Sequence, residues 1–303
     1  MPTKQQKKEV IRRLLVPVFL IIAAILYHPV MDFFGLSDSK TSTSVSTDGK
    51  TLTVSYLDVG QGDATLITKG DFHMLIDAGK NEKGADVVEY LKEEGIDRLD
   101  ILVGTHPDSD HIGGLDDVLE AVPVDTIYMP AEKKSTKTYD EVESVLKRAG
   151  KKAGMPEIGK EYIYGENVVL RFLSPDKTYS DANDNSLVVQ LAYGKNRFLF
   201  MGDAEENVEK DILEKGYDLT CDVLKLGHHG SYTATSDAFL KAADPAYGII
   251  SCGKNNSYGH PHAEVLARLE DEDVQVYRTD TMGTVQAVSD GTRVTLSTEN
   301  GKK

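Results

Sequence analysis

The chain has 303 residues, of which 40% are hydrophobic and 27% charged, and its formal net charge is -15. That length holds one large domain or two small ones with a sizeable core. The negative balance excludes a generally basic nucleic-acid-binding surface, though not a local basic patch or phosphate held through metal ions.

In chain order, the charge is uneven. Residues 1–31 carry Lys4, Lys7, Lys8, Arg12 and Arg13 against Glu9 alone. This basic stretch precedes an almost unbroken apolar run, 14–27, which contains Pro17 and is extended by 29–31 to about the minimum spanning length. The pattern predicts one N-terminal transmembrane helix with the bulk of the chain outside. A cleaved signal peptide is the competing reading, although no small-x-small cleavage site follows the run. The expected location is therefore the cell membrane, single-pass, or secreted if the segment is removed. Residues 32–50 are rich in Ser, Thr, Asp and Lys and read as a polar linker. Residues 51–303 read as the folded domain.

Within that domain, strands are expected at 52–59, 64–68, 72–76, 99–104 and 125–129, with helices at 85–94, 114–121 and 139–149. The second half repeats the style. Strands are expected at 168–173, 187–193, 197–201, 223–226, 247–251 and 274–277, and helices at 204–215, 236–242 and 262–270. A closing hairpin, 283–297, turns at Asp290-Gly291. Two strand–helix sets, each opening on antiparallel strands, predict an α+β fold of two sheets packed face to face with helices outside. Cys221 and Cys252 each lie beside an apolar run and read as buried free thiols rather than a disulfide.

Metal-ligating residue types recur at the ends of these strands. The run Thr105-His106-Pro107-Asp108-Ser109-Asp110-His111 packs two histidines and two carboxylates into six positions, and Gly113-Gly114 then let the chain turn away. A solvated turn has little use for both histidines, so the residue types point to a metal site. Asp77, Asp203 and the pair His228-His229 each follow an apolar run in the same way. A strand-end Asp often caps the next helix, but four such sites on one sheet edge can converge on one cleft. Gly60-Gln61-Gly62-Asp63 is not a phosphate-binding loop, because no helix opening on Lys-Ser/Thr follows; it shapes a turn, and Asp63 either approaches the cleft or serves that turn alone.

Taken together, these segments resemble the metallo-β-lactamase-fold hydrolases, whose His-x-[His/Asp]-x-Asp-His signature is matched by His106 to His111. More narrowly, the chain resembles the extracellular hydrolase domain of the ComEC/Rec2 DNA-uptake proteins. The segments that carry this are Leu57-Asp58-Val59-Gly60-Gln61-Gly62-Asp63-Ala64, Asn183-Asp184-Asn185-Ser186-Leu187, Gly202-Asp203-Ala204, Leu224-Lys225-Leu226-Gly227-His228-His229-Gly230-Ser231 and Tyr258-Gly259-His260-Pro261-His262. The resemblance implies a four-layer αββα sandwich with two divalent metal ions at one sheet edge. It assigns one ion to His106 and Asp108 and the other to Asp110, His111 and one of His228 and His229, with Asp203 bridging. Asp77 would orient the loop from behind the ligands. Many relatives have His at the position of Asp108 and a further His near Asn183 to Ser186, where Asn185 reads equally as a contributor to the site or as a structural Asn in a turn. Oxygen in place of imidazole moves the expected metal from Zn²⁺ towards Mn²⁺, with Mg²⁺ also compatible.

The function so implied is a membrane-tethered extracellular phosphodiesterase, a DNA nuclease of the ComEC kind. Metal-bound hydroxide oriented by Asp110 would attack in line, and His260 would contact the phosphate or protonate the leaving oxygen. Two alternatives are a phosphodiesterase of cell-surface polymers, similar to phosphocholine esterases, and a non-catalytic surface or competence module. Against the first stands the absence of Trp for a choline cage, although 14 Tyr could substitute. Against the second stands the full ligand set. The sequence fixes no oligomeric state.

Overall fold

The computed structural model describes residues 49–165 and 167–301. The expected anchor and nearly all of the linker fall outside the described residues. Among those described, no helix is long and apolar enough to cross a membrane.

In chain order the strands are β1 Leu52–Tyr56, β2 Thr65–Lys69, β3 Phe72–Ile76, β4 Leu99–Val103, β5 Val124–Tyr128, β6 Glu161–Tyr164 and β7 Val168–Ser174. They continue as β8 Val188–Tyr193, β9 Asn196–Phe200, β10 Val223–Lys225, β11 Tyr247–Ile250, β12 Gln275–Arg278, β13 Val285–Ser289 and β14 Val294–Thr298. Two mixed sheets result, in the orders β14-β13-β1-β2-β3-β4-β5 and β12-β11-β10-β9-β8-β7-β6. In each, an antiparallel half leads into a parallel one: β3, β4 and β5 run parallel in the first sheet, and β9 to β12 in the second.

Alternation along single strands explains the layering. On β3, Met74 and Ile76 enter the core between the sheets, while Leu75 faces the helices behind. Tyr56, Ile67 and Ile101 of the first sheet meet Phe172, Leu191 and Phe198 of the second in that central core. Leu75 and Leu102 pack against Leu91, Val118 and Val142, from helices Gly84–Glu93, Leu115–Ala121 and Lys137–Arg148. Leu199 and Leu224 do the same with Val208, Leu240 and Leu269, from Glu206–Glu214, Asp237–Ala243 and Ala263–Asp271. Three apolar layers between four structural layers give the expected αββα sandwich. Both faces of the central strands are buried, which is why they read as continuous apolar runs.

Three details differ from expectation. Edge strand β6 has no counterpart in the sequence reading, because its most apolar residue, Ile163, is 73% exposed while Tyr162 and Tyr164 pack on the core. The motif from His106 to His111 contains a short helix, Ser109–Ile112. Gly113 and Gly114 form the turn after that helix, but their φ values of -59° and -94° suit any residue, so the turn does not need glycine. They provide proximity: a Cβ on Gly114 would lie 2.4 Å from Ala78 O and 2.6 Å from Gly84 Cα. Cys221 and Cys252 are buried and unpaired, as the free-thiol reading expects.

Candidate metal centre

Segments leaving β3, β4, β9, β10 and β11 meet at one edge of the sandwich, the place where parallel strands end and polar groups are free to converge. Asp203 is the centre of the gathering. Its carboxylate oxygens lie 3.2 Å from His111 Nε2, 3.5 Å from His229 Nε2, 3.8 Å from His106 Nε2 and 3.9 Å from His228 Nε2. Asp63, His111, Asp203 and His229, all buried, each bring a ligand atom within 4.8 Å of the others. Asp110 adds an oxygen 3.5 Å from His229 Nε2.

Each imidazole is oriented by what holds its other nitrogen. His111 Nδ1 donates to Asp77 Oδ2 at 2.8 Å, and His229 Nδ1 donates to the Ser251 carbonyl at 3.0 Å. His228 Nδ1 meets Glu205 Oε1 at 2.8 Å. His106 Nδ1 has the hydroxyls of Thr105 and Ser186 at 3.2 and 3.4 Å. In all four rings Nε2 is left for the interior, the arrangement by which a partner behind a ligand fixes its tautomer. The backbone cooperates at some cost. His228 and His229 sit consecutively in the left-handed region, at φ 46° and 54°, and Asp77 is there at 58°. Such residues cost about 1–3 kcal/mol each and persist where a site over-determines them.

With both Nδ1 atoms committed as donors, His111 and His229 face each other through Nε2 lone pairs only 3.3 Å apart, beside carboxylate oxygens. Two such nitrogens in a buried space need a positive charge between them, a proton on one ring or a metal ion in its place. Burial alone would depress these rings, but Asp203, helped by Asp77, raises His111 well above the ordinary value, and Asp203 with Asp110 and Asp63 raises His229 to about 10. Asp203 is held well below its usual range, since His111 and His229 outweigh its burial. His106 Nε2 is buried without a hydrogen-bond partner among the described residues. The donor set of imidazoles and carboxylates therefore fits a divalent first-row ion.

Not every expected residue joins. Asp108 accepts from Lys134 Nζ at 2.5 Å through Oδ1, so one oxygen of this expected ligand is engaged by a lysine. Asn185 is consumed by its own loop: its oxygen accepts from Tyr179 N, and its amide donates to the carbonyls of Tyr179 and Asp181. Its neighbour Ser186 is the residue that reaches His106. Of the histidine pair, His229 is the fully buried member in the cluster, while His228 is half-buried beside Glu205. His260 stands at the edge, its ring centroid 5.4 Å from that of His228 and 6.1 Å from that of His229. Burial, then the charges of His229 and His228, push it down to about 4, so the ring is neutral at pH 7.

Asp63 does approach the cluster, and its partner was missed. Lys225 Nζ, on β10 and 2% exposed, donates to Asp63 Oδ2 at 2.7 Å. A lone lysine in the apolar run Val223-Leu224-Lys225-Leu226 is the signal that finds it, since a buried charge needs an opposite one. Gly62 makes the approach feasible: at φ +146° a Cβ there would stand 2.4 Å from Asp110 O, which accepts from Asp63 N instead.

Asp77 offers a clean test of the support behind the ligands. Asn tolerates the same left-handed backbone, yet its amide would present a donor to His111 Nδ1 and invert that ring's tautomer. Asp77→Asn is expected to weaken divalent-ion binding by roughly 10–100-fold, read by titration calorimetry. Unchanged affinity would separate Asp77 from the centre.

Comparison with known proteins bears on this geometry. A family model described as the metallo-beta-lactamase superfamily matches residues 57–254. ComE operon protein 3 of Bacillus subtilis is 32% identical over 256 residues, which cover 77% of this chain and 32% of that protein. Recombination protein 2 of Haemophilus influenzae is 35% identical over 238 residues, covering 77% of this chain and 28% of that protein. The chain thus spans about a third of the length of these curated relatives. Among solved structures, the metallo-beta-lactamase fold protein YhfI from Bacillus subtilis aligns over 81% of this chain and 100% of its own, with a TM-score of 0.51 and 12% identity. That likeness speaks to the fold alone.

Proposed function

The chain belongs to the metallo-β-lactamase superfamily, and from that premise we propose that it is a metal-dependent phosphodiesterase that cleaves DNA outside the cell, tethered to the membrane by residues 1–31. The observation that carries the reading is the convergence of four imidazole Nε2 atoms on Asp203 within 3.9 Å. Its relatives' names point to competence and recombination, which favours DNA over other diesters. The tether rests on the basic flank and apolar run of the sequence.

Two divalent ions, Mn²⁺ or Zn²⁺ with Mg²⁺ also compatible, are the proposed cofactors. Asp110, His111, Asp203 and His229 would hold one; His106 and Asp203 would hold the other, which therefore keeps more positions for water and substrate. When bound, such ions neutralise charge on the attacking and leaving oxygens of a diester. The remaining work falls to side chains. Asp110, at the open side of the cluster, orients the attacking water. His260 is neutral at pH 7, which suits donation of one N–H hydrogen bond to a phosphate oxygen better than delivery of a proton.

The test is to supply the full chain with Mn²⁺, Zn²⁺ or Mg²⁺ and offer single-stranded DNA, double-stranded DNA and bis-p-nitrophenyl phosphate. Cleavage of DNA and of the small diester with at least one ion, abolished by chelation, is the expected result. Cleavage of the small diester alone would redirect the reading to cell-surface polymers; no cleavage with any ion would overturn it.

A further inference from the structure

Among the described residues, four large hydrophobic side chains are exposed: Met155, Ile163, Tyr232 and Tyr258. Two of these, both tyrosines, sit beside the histidines at the rim of the centre. Tyr258 lies nearly parallel to His260, with ring centroids 5.5 Å apart and planes 20° apart. His260 in turn meets His262 edge-on at 4.9 Å, and His262 meets Tyr232 at 5.0 Å. Through His260 this strip continues to His228 and His229. A continuous ribbon of rings therefore runs from the ion-binding cluster to two tyrosines that are 63% and 59% exposed.

The ribbon is held in place from below. The backbone N–H of Tyr232 donates to His262 Nδ1 at 3.1 Å, which leaves Nε2 of that ring as its N–H donor. Asn256 donates to the carbonyls of Gly253 and His260 and accepts from the N–H groups of Tyr258 and His260, which fixes the loop carrying two of the rings. Gly259 between them is at φ +77°, a conformation that lets the chain fold back on itself. Lys254 is exposed on the same loop. Exposed rings held by neighbouring rings, Tyr258 by stacking and Tyr232 by an edge contact, next to an N–H donor and a cation, are what unstacked bases and their phosphates need.

We propose that Tyr258, His262 and Tyr232 form a stacking platform for the bases of a single-stranded nucleic acid, which feeds the phosphodiester into the centre. The inference rests on the diesterase reading for what happens next, but not for binding itself. A duplex keeps its bases inside the stack and cannot present their faces to such rings, so the platform selects single strands or frayed ends.

Binding is therefore measured separately from cleavage. The full chain is titrated by fluorescence anisotropy, with Mn²⁺ and in EDTA, against a labelled single strand, an abasic strand of equal length, the corresponding duplex and a phosphocholine-bearing polymer. The base-bearing strand is expected to bind about tenfold or more tighter than the abasic one, and Tyr232→Ala and Tyr258→Ala each to reduce that ratio several-fold. Tyr→Phe at either position keeps the ring and should keep the ratio. Equal binding of base-bearing and abasic strands, an undiminished ratio in the double Ala variant, or preference for the phosphocholine polymer would each overturn the platform. If the base preference stands while no diester is cleaved under any ion, the platform survives and the reaction assigned to the centre falls.

Discussion

Asp203→Asn is expected to reduce diester turnover to background and to weaken ion binding by more than the roughly 10–100-fold typical of residues behind a ligand. Four imidazoles surround this one carboxylate, and among the described residues no other carboxylate pairs with all of them. The substitution keeps shape and removes charge. An amide nitrogen would also present N–H hydrogens where a cation requires an oxygen lone pair. Because the backbone N–H of residue 203 still reaches Ser186 Oγ at 3.1 Å, the loop has reason to stay in place. Circular dichroism should therefore be unchanged while activity and metal content fall together. Retained turnover with full metal loading would remove Asp203 from the proposed centre.

The second large effect concerns stability. Lys225→Met is expected to destabilise the domain by about 3–5 kcal/mol, the usual consequence of removing one member of a buried ion pair. For a domain of this size that lowers the melting temperature by on the order of 10 °C. Burial alone would raise the Asp63 carboxyl, but Lys225 above all, with His229, brings it down to about 2. A depressed carboxyl contributes its stability above the ordinary carboxylate range and loses it as pH falls towards 2. The difference between wild type and Lys225→Met should accordingly be full at pH 7 and shrink in that acid window. Adding Asp63→Asn to Lys225→Met should recover part of the loss, because the stranded charge is gone. Equal melting temperatures for wild type and Lys225→Met would show that the pair contributes nothing.

Much of this was legible from residue order. Strand β3 has the expected bounds because Phe72, Met74, Leu75 and Ile76 are apolar and buried and the run stops at Asp77. The strand-end ligands were legible for a related reason: histidines and aspartates directly after buried runs are conspicuous, and parallel strands bring their ends together. Hydroxyls are not conspicuous. Thr105 and Ser186 flank His106, yet nothing in their local sequence separates them from surface serines and threonines. The Lys134 partner of Asp108 was not legible because it lies 26 positions away, whereas the turn role of Asn185 was one of its two readings. The glycine pair after the motif shows the same limit. Its need for close approach to Ala78 and Gly84 is visible only once the loops are packed.

The residues at the centre come from both halves of the chain: Asp63, Asp77 and His111 leave strands of one sheet, and Asp203 and His229 leave strands of the other. No fragment that folds only one sheet contains a competent set. The contacts that join them span more than a hundred residues, as with His111 and His229 or Lys225 and Asp63, and long loops of this kind close late in folding. On the proposed reading, ion binding waits for that closure. A half-folded chain would hold no complete ligand set before its two sheets have packed together.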